Sequence, residues 1–276
     1  MHKFVLLFLL VSGLCFFFGC AANPITGEDE LMLDRDYHND IKLGKEIAPK
    51  VEKELKGRIK DQVLQDYING VGHKIARFSH NPDFDFNFVA VNDKSINAVS
   101  LPGGYIFITK GMLAKLENES QLAGVLAHET VHVVARDAEN MMSKQVGMGA
   151  LFVLAMSQAR TQGEVAAADI AMQLVALKYS REDERTADLG GMDYMFRAGY
   201  NPNGMVETMQ ILQKEEASRP CDFFSTHPSP ENRIDYLRAR IQSHYLGGTA
   251  GTKTGEEDYR QNVLDRIKNL PDSPGK

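Results

Sequence analysis

Apolar residues Val63, Tyr67, Ile68, Val71 and Ile75 recur at the intervals of one helix face, so the spacing predicts a helix over 60–79, with a companion over 36–55. The period then shortens to two. Phe84, Phe86, Phe88 and Ala90 fall on one side of an extended segment that closes at the turn residues Asn92, Asp93 and Lys94. Two further strands, 96–101 and 105–109, are joined by Pro102, Gly103 and Gly104, where glycine supplies the positive φ of a tight reversal. The three strands are expected to form a small antiparallel meander. After Gly111 the helical pattern returns, and segment 119–138 is so apolar that it must be buried on nearly every side.

Downstream, helices are expected over 166–199, 202–217, 231–245 and 256–270, with a Pro-rich loop at 220–230, a flexible linker at 247–255 and a frayed tail at 271–276. Segment 146–156 is apolar but about half the ~20 residues that span a bilayer, and it predicts a helical hairpin beside or over the buried helix. The pattern as a whole reads as an α+β, mostly helical fold. One domain over 34–246 is followed by linker, terminal helix and tail. A chain of 276 residues with 43% hydrophobic content can bury one sizeable core.

The N-terminus changes the picture. His2 and Lys3 give a short positive start, residues 4–18 are almost wholly apolar, and Gly19 and Cys20 close the run. Residues 1–19 therefore read as a signal peptide. Phe17, Phe18, Gly19 and Cys20 resemble a lipobox, with Phe17 in place of the usual leucine. Cys20 is then the expected lipidation site, residues 20–33 form a tether, and the body is periplasmic and anchored to the membrane through lipid. Ala21 and Ala22, with no aspartate, resemble the signal of lipoproteins sent to the outer membrane. With Cys20 acylated, Cys221 has no disulfide partner. The net charge of -6 is spread without a basic block, which excludes a nucleic-acid footprint.

The buried helix carries His128, Glu129 and His132. Two imidazoles four residues apart share one helix face and can reach one metal ion, while Glu129 can lean over the same ion and take a proton from water. Three ionisable groups unpaired among Leu122, Val125, Leu126, Val133 and Val134 would cost several kcal/mol, on the order of what a metal would offset. A catalytic zinc, one per chain, takes three protein ligands and leaves a fourth position for water. The metzincin pattern requires glycine at 135 and histidine at 138, and both are alanine. The gluzincin pattern takes a glutamate from a later helix, for which Glu184 is chosen. Asp188, one turn further, is placed to accept from the far nitrogen of His128 or His132.

Four segments in order carry a resemblance over most of the mature chain: Asn97 and Ala98 with Pro102 to Gly104, His128 to His132, Ser180 and Arg181 with Glu184 and Asp188, and Thr226 to Pro228 with Arg233. Together they resemble the zinc metallopeptidases that include HtpX, the CAAX prenyl endopeptidase and the periplasmic protease-chaperones of outer-membrane assembly. The resemblance implies a gluzincin core of helices around a short edge-stranded sheet. It also implies endopeptidase activity on extended polypeptides, bound along 96–101 with Asn97 and Ala98 fixing the register, and a link to the outer-membrane assembly machinery. In related periplasmic proteases a histidine placed like His227 is a removable fourth ligand; an oxyanion donor and a surface histidine are the other readings of His227. Arg233 either binds substrate or pairs with a carboxylate such as Asp188. Two other classes stay open: a non-haem iron oxygenase, whose ligands normally come from barrel strands, and an envelope lipoprotein that mainly chaperones, with proteolysis latent.

Overall fold

The computed structural model describes residues 19–32, 37–144, 176–245, 249 and 251–270. The expected signal segment up to residue 18, the apolar hairpin at 146–156, the start of the 166–199 helix and the tail at 271–276 lie outside them. At the N-terminus β1 (Gly19–Ala22) and β2 (Asp29–Met32) pair antiparallel, Cys20 opposite Leu31, where an irregular tether is expected. The turn between them is held by the Asn23 carboxamide, which accepts from Ile25 N at 2.9 Å.

Two amphipathic helices follow, α1 (Tyr37–Glu54) and α2 (Gln62–Ala76), close to their predicted limits. The sheet comprises β3 (Asn87–Val91), β4 (Ala98–Ser100) and β5 (Tyr105–Thr109) in the order β3-β5-β4. It is mixed, which corrects the expected antiparallel meander: β4 and β5 are antiparallel, but β3 lies parallel to β5. The reason is local. The chain after Val91 crosses to the far side of β5, and Gly57 and Ile59 take the other edge of β3 through bonds to Asn92 N and Ala90 O.

Alternation along the strands divides the core. Val89, Val91, Val99 and Phe107 pack with Leu43, Ile47 and Val51 of α1. Phe88, Ala90, Ala98, Ile106 and Ile108 face the larger cluster on the other side, with Ile68, Val71 and Ile75 of α2. Gly44 of α1 lets that helix lie on the reversal before β5, since a Cβ there would meet Pro102 O at 2.2 Å.

After the short α3 (Lys110–Leu113), α4 (Glu119–Ala135) runs through the larger cluster with every residue buried. Its expected extension to 138 is cut at Arg136, which adopts a left-handed conformation (φ 58, ψ 37), and α5 (Asp137–Lys144) starts anew. Residues 177–180, expected to be helical, are not. Ser180 begins α6 (Arg181–Arg197) through a capping box, its hydroxyl accepting from Asp183 N at 3.1 Å while its own N–H donates to the Asp183 carboxylate at 2.8 Å.

Helix α7 (Asn203–Ser218), the short α8 (Asp222–Thr226) and α9 (Arg233–His244) complete the body. The chain closes with α10 (Glu256–Tyr259), a π turn at Arg260–Leu264 and α11 (Asp265–Ile267). The segment before α10, expected to be a linker, is hydrogen-bonded to the body: Lys253 N donates to Gly199 O, and the carbonyls of Thr254 and Gly255 accept from Ser120 N and Glu119 N at the start of α4. No helix among the described residues is long and apolar enough to cross a membrane.

Candidate metal centre and active site

Helices α4 and α6 supply the centre because they can approach closely. Gly191 faces α4, where a Cβ would stand 3.0 Å from His128 N. Glu184 and Asp188 lie on the same face of α6, two turns and one turn before it respectively, and both are fully buried. The Nε2 atoms of His128 and His132 are 3.1 Å apart. Glu184 reaches over both, its oxygens 3.6 Å from His128 Nε2 and 3.5 Å from His132 Nε2. These separations are too long for good hydrogen bonds, and neither Glu184 oxygen has a hydrogen-bond donor.

The outer ring nitrogens settle what the inner ones present. His128 Nδ1 is 3.0 Å from Asp188 Oδ1, and His132 Nδ1 is 2.6 Å from Asp137 Oδ2. A carboxylate only accepts, so each imidazole carries its proton on Nδ1 and, when neutral, turns the Nε2 lone pair inward. Two lone pairs and a carboxylate converging without a donor are what a cation requires. Tetrahedral zinc with Zn–N near 2.0–2.1 Å would hold two nitrogens ~3.3 Å apart, close to the separation observed. The residues present therefore fit a divalent metal.

His227 completes the cluster. One ligand atom from each of His128, His132, Glu184 and His227 lies within 4.8 Å of the others, and all four residues are buried. The Thr226 hydroxyl lies 3.2 Å from Phe223 O and 2.9 Å from His227 Nδ1, which leaves His227 Nε2 facing the cluster. That atom is 3.3 Å from Glu129 Oε1. The His227 ring stacks on Phe223 at 4.3 Å, and the Tyr179 ring stacks on His132 at 3.9 Å. Both Glu129 oxygens lack a hydrogen-bond partner.

Arg233, at the start of α9, is 1% exposed. Of its two expected roles it takes the pairing one: Nε and a terminal nitrogen each donate to Asp188 at 2.7 Å, and the other terminal nitrogen lies 3.2 Å from Glu184 without hydrogen-bond geometry. Tyr236, one turn on, donates a short hydrogen bond to the same aspartate.

Asn97 and Ala98 are buried at the edge of the sheet, and the Asn97 side chain accepts from Ala98 N at 2.9 Å. The outer side of this edge is covered: Phe223 N donates to Ile96 O, and Ser100 Oγ is 3.3 Å from the Tyr179 hydroxyl.

Burial disfavours every charge here, and the neighbours outweigh it. His132 is pushed up to about 10, burial being overcome by Asp137 and Glu184. His128 is raised in the same way by Glu184 and Asp188. Against burial, His227 and the two metal-facing histidines hold Glu129 down at about 2 and Glu184 well below the carboxylate range. Arg233 and His128 lower Asp188 despite its burial. Glu129, Glu184 and Asp188 are thus held ionised by the histidines and the arginine around them when no metal is bound.

A family model described as "Peptidase family M48" matches residues 62–241, more than half of the chain, and the match includes every residue of this cluster. The chain belongs to peptidase family M48. Among curated M48 relatives, the beta-barrel assembly-enhancing protease of Escherichia coli is 30% identical over 66% of this chain and 40% of its own length. The mitochondrial metalloendopeptidase OMA1 of Schizosaccharomyces pombe is 29% identical over 73% of this chain and 62% of its own. Metalloprotease LoiP of Escherichia coli is 24% identical over 57% and 63%. The chain spans about two fifths of the length of the first assembly-enhancing relatives.

Reading the sequence missed Asp137, Tyr179 and Tyr236. Asp137 follows an arginine, which gives no signal for the left-handed break that redirects it. Tyr179 falls in a stretch with a helical pattern. Tyr236, three residues after Arg233 on one helix face, was findable once Arg233 was singled out.

Proposed function

We propose that the chain is a zinc-dependent endopeptidase of the bacterial cell envelope, with His128, His132 and Glu184 as metal ligands and Glu129 as general base. The observation that carries this reading is the convergence of two inward Nε2 atoms and the undonated Glu184 carboxylate beside Glu129, a second buried carboxylate on the helix that bears the histidines. Held by His128, His132 and Glu184, a zinc ion would supply an acidified water and a Lewis acid for the scissile carbonyl. Glu129, held ionised, takes the proton and passes it to the departing amine. Asp188 fixes the ring of His128 from behind and is itself held by Arg233 and Tyr236.

His227 is best read as the removable fourth ligand. A ligand atom of His227 lies within 4.8 Å of one from each of His128, His132 and Glu184, within reach of the same ion. Its position beside Glu129 takes the space of the reacting water, so the substrate must displace it. An extended peptide would then add to β4 beside Asn97 and Ala98, after the contacts of Phe223 and Tyr179 with that edge are released. The names of the assembly-enhancing relatives support an envelope substrate, with the outer-membrane assembly machinery as context. A lipid on Cys20 would place the body in the periplasm at the outer membrane.

Cleavage of casein by the full chain, compared with Glu129→Gln, tests the activity. Loss of about 10²–10⁴-fold in kcat with zinc retained is expected; equal rates in the two proteins would refute the role of Glu129.

A further inference from the structure

Asp137 stands at the other end of the site from Asp188, and nothing in the HExxH pattern calls for it. In an uninterrupted helix, residue 137 would lie about 140° round the axis from His132, facing away from it. Its carboxylate is nevertheless 2.6 Å from His132 Nδ1, and the residue is 3% exposed. The left-handed turn at Arg136 is what brings it back: α4 stops at Ala135, Arg136 N caps it through His132 O and Val133 O, and α5 sets out from Asp137 in a new direction.

Arginine without a glycine's freedom is an unusual residue for φ 58, so the conformation must be held from outside. The holding contacts are on α1. The Arg136 guanidinium is buried against Asp40, at 2.7 Å from Nε and 2.9 Å from a terminal nitrogen, and lies 4.8 Å from the centre of the Tyr37 ring.

We infer that Asp137 is a positioning residue for the metal centre, orienting His132 as Asp188 orients His128, and that the Asp40–Arg136 pair on α1 and the left-handed turn serve to put it there. The inference rests on the reading of His132 as a zinc ligand. The two ligand histidines are then fixed independently: His128 from α6, His132 from the junction of α4 and α5 tied to α1. A carboxylate behind a ligand imidazole fixes the ring and raises its basicity, and its loss typically weakens metal binding about 10–100-fold.

The test is zinc affinity of the full chain, measured by competition with a chromophoric chelator, for the wild type, Asp137→Asn and Asp137→Ala, with thermal melting of each in the metal-free state. Asparagine keeps the shape and an acceptor oxygen, so it should fold and lose less affinity than alanine. About 10–100-fold weaker zinc binding in Asp137→Ala and a smaller loss in Asp137→Asn, with both variants still melting cooperatively in the metal-free state, support the inference. Wild-type zinc affinity in both variants overturns it while leaving the metal centre standing. A wild type that binds no zinc overturns the metal reading and this inference together.

Discussion

Glu129 and His227 face each other across 3.3 Å, and their substitutions should have opposite consequences. Removing the proposed base should lower turnover about 10²–10⁴-fold, whereas His227→Ala removes a competitor of water and should raise casein cleavage by the zinc-loaded protein; a fall instead would make His227 a transition-state donor. The charges also set a pH dependence. In the metal-free protein His132 is raised from 6.5 to about 10, so the stability it contributes is fully present below pH 6.5 and lost as pH rises towards 10. Glu129 is lowered from 4.5 to about 2, so its contribution is present above pH 4.5 and lost as pH falls towards 2. Melting temperature of the chelator-treated protein should therefore pass through a maximum between those limbs. Zinc must displace the imidazolium proton, so its stabilising effect should grow from pH 5 to pH 8 in parallel melts; a zinc effect independent of pH would contradict the proton competition.

At the scale of elements, the site depends on how closely α4 and α6 pass. Gly191→Ala places a methyl group 3.0 Å from His128 N, and separation of the helices should cost about 1–3 kcal/mol in denaturant unfolding and weaken zinc binding as well. Helix periodicity made α1, α2, α4, α7 and α9 legible, because each has an apolar face or is apolar throughout, and pairing of ligands one turn apart follows from helix geometry alone. Strand direction was less legible. Phe84 to Ala90 declare a strand by alternation, but alternation is the same for parallel and antiparallel neighbours, so β3 was assigned to the wrong partnership. The break at Arg136 was invisible because its cause is Asp40, almost a hundred residues away, and the short α8 was hidden in a stretch read as Pro-rich loop.

Across the whole molecule, the C-terminal segment closes the fold onto the metal helix. Thr254 and Gly255 carbonyls cap the start of α4, Lys253 Nζ is 2.7 Å from the buried Glu119 carboxylate, and Tyr67 donates to that carboxylate from α2. A chain ended at residue 246 loses the contacts of Lys253, Thr254 and Gly255 and leaves Glu119 with Tyr67 but without its lysine, so its melting temperature should fall by several degrees, roughly the effect of ~1–2 kcal/mol; unchanged melting would show the segment to be a passive tail. The central claim is that α4 and α6 together grip one metal ion. Elemental analysis of the purified full chain, beside Glu184→Ala, tests it most directly. One zinc per chain in the wild type and a substoichiometric content in the variant is the predicted result; full occupancy in Glu184→Ala, or a wild type without zinc, would contradict it.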